Sequence, residues 1–193
     1  QFEELTQLGY QHIPVFRQRL ADAETPLTVF ARLRQNQLAY LFESVEGGET
    51  WARYSMIGLG ESTVFSCNAG VLTIQDEKGH ITKQDCLDPF QYIRDYQAQF
   101  KVPPHHLTPI LPQFTGGLVG YFGYDSVRYI EPKLKNVPEA DPVGLPDIWM
   151  MLSKTVIVFD NLKDTMFLIT HTDAKEKNAY QNAQQRLDEI EQL

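Results

Sequence analysis

The segment DIWMMLSKTVIVFDNLKDTMFLITHT, residues 147–172, decides how the rest of the chain is read. Two apolar runs, DIWMMLSKTVIVFD and TMFLITHT, flank the tetrapeptide NLKD. Runs rich in Val, Ile, Thr and Phe on either side of a short polar break read as strands joined by a tight turn. This is the clearest hairpin in the chain, and it predicts antiparallel sheet.

The pattern continues upstream. LAYLFES (38–44) and WARYSMIGLG (51–60) read as a second strand pair across Glu46-Gly47-Gly48-Glu49. STVFSCNAGVLTIQDEKGHITKQ (62–84) holds three strand-like runs, with turn signals at Asn68-Ala69-Gly70 and Glu77-Lys78-Gly79, and so predicts a meander. HIPVFRQRL (12–20) alternates, and its Pro14 confines it to a sheet edge. FTGGLVGYFGYDSVRYIE (114–131) reads as a glycine-rich core strand running into a turn or short helix.

Helices are interspersed. FEELTQL (2–8) is one. Thr25-Pro26 supplies an N-cap and first helical residue for LTVFARLRQ, with Leu27, Phe30 and Leu33 on one face. Asp88-Pro89 opens PFQYIRDYQAQF, with Phe90, Ile93 and Tyr96/Gln97 around one face. Asp173 and Glu176 form a capping box before a last helix, whose apolar stripe is Tyr180, Ala183, Leu187 and Ile190. KVPPHHLTPILP (101–112) is a Pro-rich surface linker, and PKLKNVPEADPVGLP (132–146) is a loop long enough to suggest a functional or partner-facing role. This order is not a βαβ alternation. It predicts an α+β fold, a single domain over 1–193 with antiparallel β-sheets packed as a sandwich and flanking helices.

Composition narrows the function. The 193 residues carry a net charge of −8, and the basic residues come only in short pairs such as Arg17/Arg19 and Arg32/Arg34. No basic stripe is available for a phosphate backbone or an anionic membrane, so neither nucleic acid nor membrane is an expected partner. Cys67 and Cys86 are the only cysteines. They fit two reduced thiols in a cytoplasmic protein better than a disulfide framework or a zinc site.

The polar groups of LFESVEGGETWARYS (41–55) hold the best candidate chemistry. Ser44 lacks the G-x-S-x-G elbow of a hydrolase nucleophile, and no histidine has a recognisable spacing to it. No catalytic residue is therefore assigned. Two readings stay open: Glu43 and Ser44 satisfy backbone groups at a strand end, or they help bind a zwitterion. In the second, Glu43 meets an ammonium, Ser44 and Arg53 meet a carboxylate, and Leu41, Tyr54 and Met56 flank an apolar side chain. Gly117, Gly120 and Gly123 recur every third residue, which matches neither a dinucleotide fingerprint nor a P-loop. The five histidines form no ligand pattern, so no metal site is expected. Asp125, Arg128 and Glu131 suit surface ion pairs.

YLFESVEGGETWARYSMIG, GGLVGYFGYDSVRYIEP and LPDIWMMLSKTVIVFDNLKDTMFLI, in that order, resemble the N-terminal region of component I of the anthranilate synthases. The Gly-Gly-x-x-Gly-Tyr-x-x-Tyr-Asp segment is shared among chorismate-utilising synthases more widely. The resemblance implies a lyase that makes anthranilate from chorismate and ammonia or glutamine, and that tryptophan inhibits. It implies that Leu41, Glu43 and Ser44 line half of the tryptophan pocket, joined by Arg53, Tyr54 and Ser55 on the next strand. Phe42 stands where Leu is commoner. The chorismate-binding and magnesium-binding residues of the family lie in a C-terminal catalytic region outside these 193 residues. The implied partners are that region, a glutamine amidotransferase component II and L-tryptophan. No cofactor is expected in this chain. The corresponding region of an aminodeoxychorismate synthase and a stand-alone amino-acid-binding module are the alternatives. The chain has no initiator Met and stops within a helix, which fits a piece of a longer protein that is inactive by itself.

Burying a whole indole is worth about 4–6 kcal/mol, and half a pocket supplies about half of that. Association costs roughly 4–15 kcal/mol. Calorimetry on the chain alone is therefore expected to show tryptophan binding much weaker than micromolar; micromolar binding overturns the half-pocket reading.

Overall fold

The computed structural model describes residues 1–34, 38–43, 53–60, 63–134 and 144–192. In chain order the elements are α1 (Phe2–Gln7), β1 (His12–Leu20), α2 (Pro26–Leu33), β2 (Leu38–Phe42), β3 (Tyr54–Gly60), β4 (Val64–Asn68), β5 (Val71–Gln75) and β6 (Ile81–Asp85). There follow α3 (Pro89–Ala98), β7 (Gly117–Phe122), β8 (Ile148–Ser153), β9 (Thr155–Asp160), β10 (Thr165–Asp173) and α4 (Ala179–Glu191). The strands form two five-stranded antiparallel sheets, ordered β1-β10-β9-β3-β2 and β6-β5-β4-β8-β7. Two antiparallel sheets with flanking helices bear out the α+β class that the sequence predicts.

The segment 147–172 holds a surprise. NLKD is the expected turn: β9 and β10 pair from Asp160↔Thr165 to Thr155↔Thr170. The arm before it, however, is two strands. Up to Cys67↔Ile148 and Val64↔Met151, β8 pairs with β4. From Thr155 onward, β9 pairs with β3 and β10 instead. The exchange falls at Ser153-Lys154, where Leu152 N–H donates to Thr63 O and Lys154 O accepts from His171 N–H. A continuous apolar run carries no mark of where its hydrogen-bond partners change.

The contacts divide the chain into two compact units. The first comprises residues 1–61, 100–117 and 153–193. One face of its sheet presents Val15, Ile57, Leu59, Ile157, Phe159 and Leu168 to Val29 and Leu33 of α2 and to Ala183, Leu187 and Ile190 of α4. The other face presents Val156, Val158, Phe167 and Ile169, and Leu111 and Phe114 cover it. The stretch read as a surface linker therefore contributes to a core. Its prolines mark irregular backbone, and irregular backbone does not exclude buried side chains.

Two helix faces also differ from expectation. In α2, Thr25 and Thr28 form the cap, and Val29 is buried where Leu27 is 59% exposed. The last helix starts later than the Asp173/Glu176 signal suggests. Asp173 Oδ1 accepts Lys175 N–H within a turn, and Asn178 at φ 57° is the N-cap. The buried stripe therefore begins at Ala179, and Tyr180 packs its ring at 5.4 Å from Phe2. Arg17 ties β1 to α4 through Asp188 (2.6 Å), Glu191 (2.7 Å) and Gln184 (2.7 Å). The edge position of β1 is as expected.

The second unit comprises residues 62–99 and 118–152. Strands β4, β5 and β6 form the expected meander, and Ala69, Gly70 and Gly79 take positive φ at its turns. Phe65, Cys67, Leu72, Ile148 and Met150 form its core against Phe90, Tyr92, Ile93 and Tyr96 of α3. Helix α3 is capped by Asp88, whose Oδ1 accepts Gln91 N–H at 2.8 Å. Strand β7 is an edge strand, not a central one. Its glycine is nonetheless demanded by packing: a Cβ on Gly120 would meet the carbonyl of Trp149.

In the first unit His171 is half-buried and its Nε2 lies 3.1 Å from Thr115 Oγ1. Burial lowers the imidazole from 6.5 to about 4. The unfolded chain therefore takes up this proton before the folded one does. The stability is complete above pH 6.5 and is lost as pH falls towards 4, by on the order of 3 kcal/mol. His12 is lowered too, by burial opposed by Asp173, and adds to the slope. The urea midpoint is expected to fall between pH 7 and pH 5, with a shallower fall in His171→Asn.

Candidate functional site

Strands β2 and β3 pair with Leu41↔Ile57 and Phe42↔Met56. Strands β3 and β9 pair with Tyr54↔Asp160 and Ser55↔Phe159. Directly opposed residues point to the same side. Leu41 packs into the helix-covered core, on the side of Ile57 and Phe159. Tyr54 and Met56 pack on the opposite face with Val158. Ser55, opposite Phe159, is 1% exposed. Among the predicted residues, Leu41 and Ser55 thus share one face of the sheet, and Tyr54 and Met56 share the other. Glu43 is exposed just beyond β2, and Ser44 lies outside the described residues.

Arg53 precedes β3 and is read from sequence as a partner for a ligand carboxylate. Its Nε and Nη2 instead bond the two carboxylate oxygens of Asp160, at 3.0 and 2.7 Å. Asp160 closes β9 and is 3% exposed, while Arg53 is 30% exposed. Burial pushes the Asp160 carboxyl up, but the Arg53 hydrogen bonds and charge outweigh it and hold the group below its ordinary value. The guanidinium carbon also sits 4.8 Å from the centre of the Tyr54 ring, within cation–π range.

The next residue extends the contact. Asn161 N–H donates to Arg53 O at 2.8 Å, and Asn161 Nδ2 donates to Ser55 Oγ at 3.2 Å. Leu162 N–H adds a bond to Asp160 Oδ1 at 3.3 Å. The β9–β10 turn therefore holds Arg53 and Ser55 from a point 106 or 107 positions away in sequence. Sequence reasoning missed Asp160 and Asn161. The available signal was an Asp at the end of the apolar run TVIVFD, where a carboxylate is costly to bury without a cation. Tyr40 lies across Gly58 on β3, and its hydroxyl donates to Ser153 Oγ at 3.1 Å.

A cavity of about 720 Å³ lies elsewhere in this unit, walled by Val29 and Leu33 of α2 and Ile190 of α4 over Ile157, Met166 and Leu168. None of the six predicted residues lines it. The arginines at its rim, Arg19 and Arg32, are already paired with Glu191 and Glu24.

Residues 37–193 match the family model described as chorismate binding enzyme. The chain belongs to this family. Over its whole length it is 75% identical to anthranilate synthase component 1 of Acinetobacter calcoaceticus, covering 39% of that protein. Over 98% of its length it is 43% identical to anthranilate synthase component 1 of Pseudomonas aeruginosa, covering 38% of that protein. A crystal structure of anthranilate synthase component I from Streptococcus pneumoniae aligns with a TM-score of 0.49 at 22% identity, over 90% of this chain and 36% of that one. The chain thus spans about two fifths of the length of the curated relatives it matches. The resemblance to the N-terminal region of component I of the anthranilate synthases is borne out. Among the described residues no helix is long and apolar enough to cross a membrane.

Arg53 and Asp160 are expected to behave as one unit. Arg53→Met leaves a buried carboxylate unpaired and lowers the thermal midpoint. Adding Asp160→Asn to that variant costs less than Asp160→Asn costs alone. Additive midpoints in a double-mutant cycle would show that the pair contributes nothing.

Proposed function

We propose that this chain is the regulatory region of an anthranilate synthase component I and supplies half of an L-tryptophan feedback pocket. The observation that carries the reading is 75% identity, along the entire chain, to a protein of that name. The whole protein would convert chorismate, with ammonia or with glutamine through an amidotransferase component II, to anthranilate in the cytoplasm. Among the described residues no group of three His, Cys, Asp or Glu side chains could hold a metal. Magnesium is expected of the whole protein.

On this reading Glu43 meets the ammonium of tryptophan, and Ser44 and Arg53 meet its carboxylate. Two features support it. Glu43 is solvent-exposed at the end of β2, and Arg53 is a permanently charged donor just ahead of the neighbouring strand. Leu41, Tyr54 and Ser55 shape the strands between them. Bound tryptophan would favour the domain arrangement that holds chorismate poorly, so its effect equals its difference in affinity for the two arrangements.

The test is Ser44→Phe in the full-length protein, followed by anthranilate fluorescence. Half-inhibition is expected to need at least about tenfold more tryptophan, within the usual range of a coupling free energy. An unchanged tryptophan response would remove Ser44 from the pocket. A product without anthranilate fluorescence would remove the synthase assignment.

A further inference from the structure

We infer that Asp160 is the positioning residue of the tryptophan site, fixing Arg53 so that Nη1 is the nitrogen left for the ligand carboxylate. The inference rests on the feedback-pocket reading above and adds a residue from the β9–β10 turn.

Three observations carry it. The Asp160 carboxylate engages Nε and Nη2 of Arg53, and among the described residues Nη1 has no hydrogen-bond partner. The guanidinium is braced a second time by the Tyr54 ring, 4.8 Å away. The backbone carbonyl of Arg53 is pinned by Asn161 N–H at 2.8 Å, so the residue is held at both ends. A free arginine side chain has many rotamers, and ordering it on binding weakens affinity. Here the ordering is complete before any ligand arrives. Two of the three nitrogens are turned towards a carboxylate that is 3% exposed, and the arginine as a whole remains 30% exposed. That is the arrangement of a cation kept charged and aimed, with one donor group in reserve.

Such a role predicts a loss confined to ligands that carry a carboxylate. Tryptophan and tryptamine, which lacks the carboxylate, serve as the two probes, with calorimetry on the full-length protein. Asp160→Asn is expected to weaken tryptophan binding about tenfold and to leave tryptamine binding unchanged. Arg17→Met, which cuts the tie between β1 and α4, serves as a destabilised control and is expected to leave the tryptophan-to-tryptamine ratio alone. Should Asp160→Asn not fold, Asp160→Glu keeps the charge, shifts the guanidinium and is expected to give the same selective loss, about threefold.

Tryptophan binding by Asp160→Asn as tight as or tighter than wild type would overturn the inference, the latter showing that Asp160 competes with the ligand. Equal losses for both probes, or the same loss in Arg17→Met, would also overturn it, because the effect would then be one of stability. Absence of tryptophan binding to the wild-type protein would instead bring down the feedback-pocket reading, and this inference with it.

Discussion

Strand β9 is buried at all six positions, from Thr155 to Asp160, and that constraint shapes the first unit. A strand with one wet face needs cover on one side only. A strand buried on both faces needs two layers, and the chain supplies them from different sources. Helices α2 and α4 cover Ile157 and Phe159, while the irregular segment around Leu111 and Phe114 covers Val156 and Val158. Each large side chain buried in this way contributes about 1.5–3 kcal/mol, so a layer built from a loop matters as much, residue for residue, as one built from a helix.

Most of the local signals are reproduced in the local structure. Thr25-Pro26 and Asp88-Pro89 start helices because a capping oxygen and a fixed φ act within four residues. The Asn68–Gly70 and Glu77–Gly79 turns form because Gly70 and Gly79 take the left-handed conformation at little cost. The break at Ser153-Lys154 and the burial of Leu111 depend on partners distant in the chain, whereas the later start of α4 is set by a local turn. Asp173 has the right side chain for a cap, but it spends that oxygen on Lys175 N–H in a turn that still belongs to the end of β10.

The candidate site follows the same division. Its strand-end residues were legible because the motif around Glu43 and Arg53 is contiguous. Its faces followed only from register: the pairings Leu41↔Ile57 and Tyr54↔Asp160 separate Leu41 from Tyr54, which no reading of the linear motif reveals. The partner of Arg53 was the least legible feature, since a contact across 107 positions leaves no periodic trace.

That hidden partner limits what Arg53 can do. A carboxylate at 3% exposure is kept ionised by the cation beside it, against the pull of its own burial. Were a ligand to draw the guanidinium away, Asp160 would remain buried, charged and unpaired, or would have to take up a proton. Either outcome opposes the exchange of one carboxylate for another. A ligand carboxylate at this strand end is therefore favoured when it adds to the Arg53–Asp160 pair and disfavoured when it replaces it. The cation must then share its donors between two anions. A guanidinium can do so because its five N–H groups point in fixed, separate directions, whereas a lysine ammonium presents only three donors around a single point of charge. The choice of arginine at position 53 is thus explained by the buried aspartate as much as by any ligand.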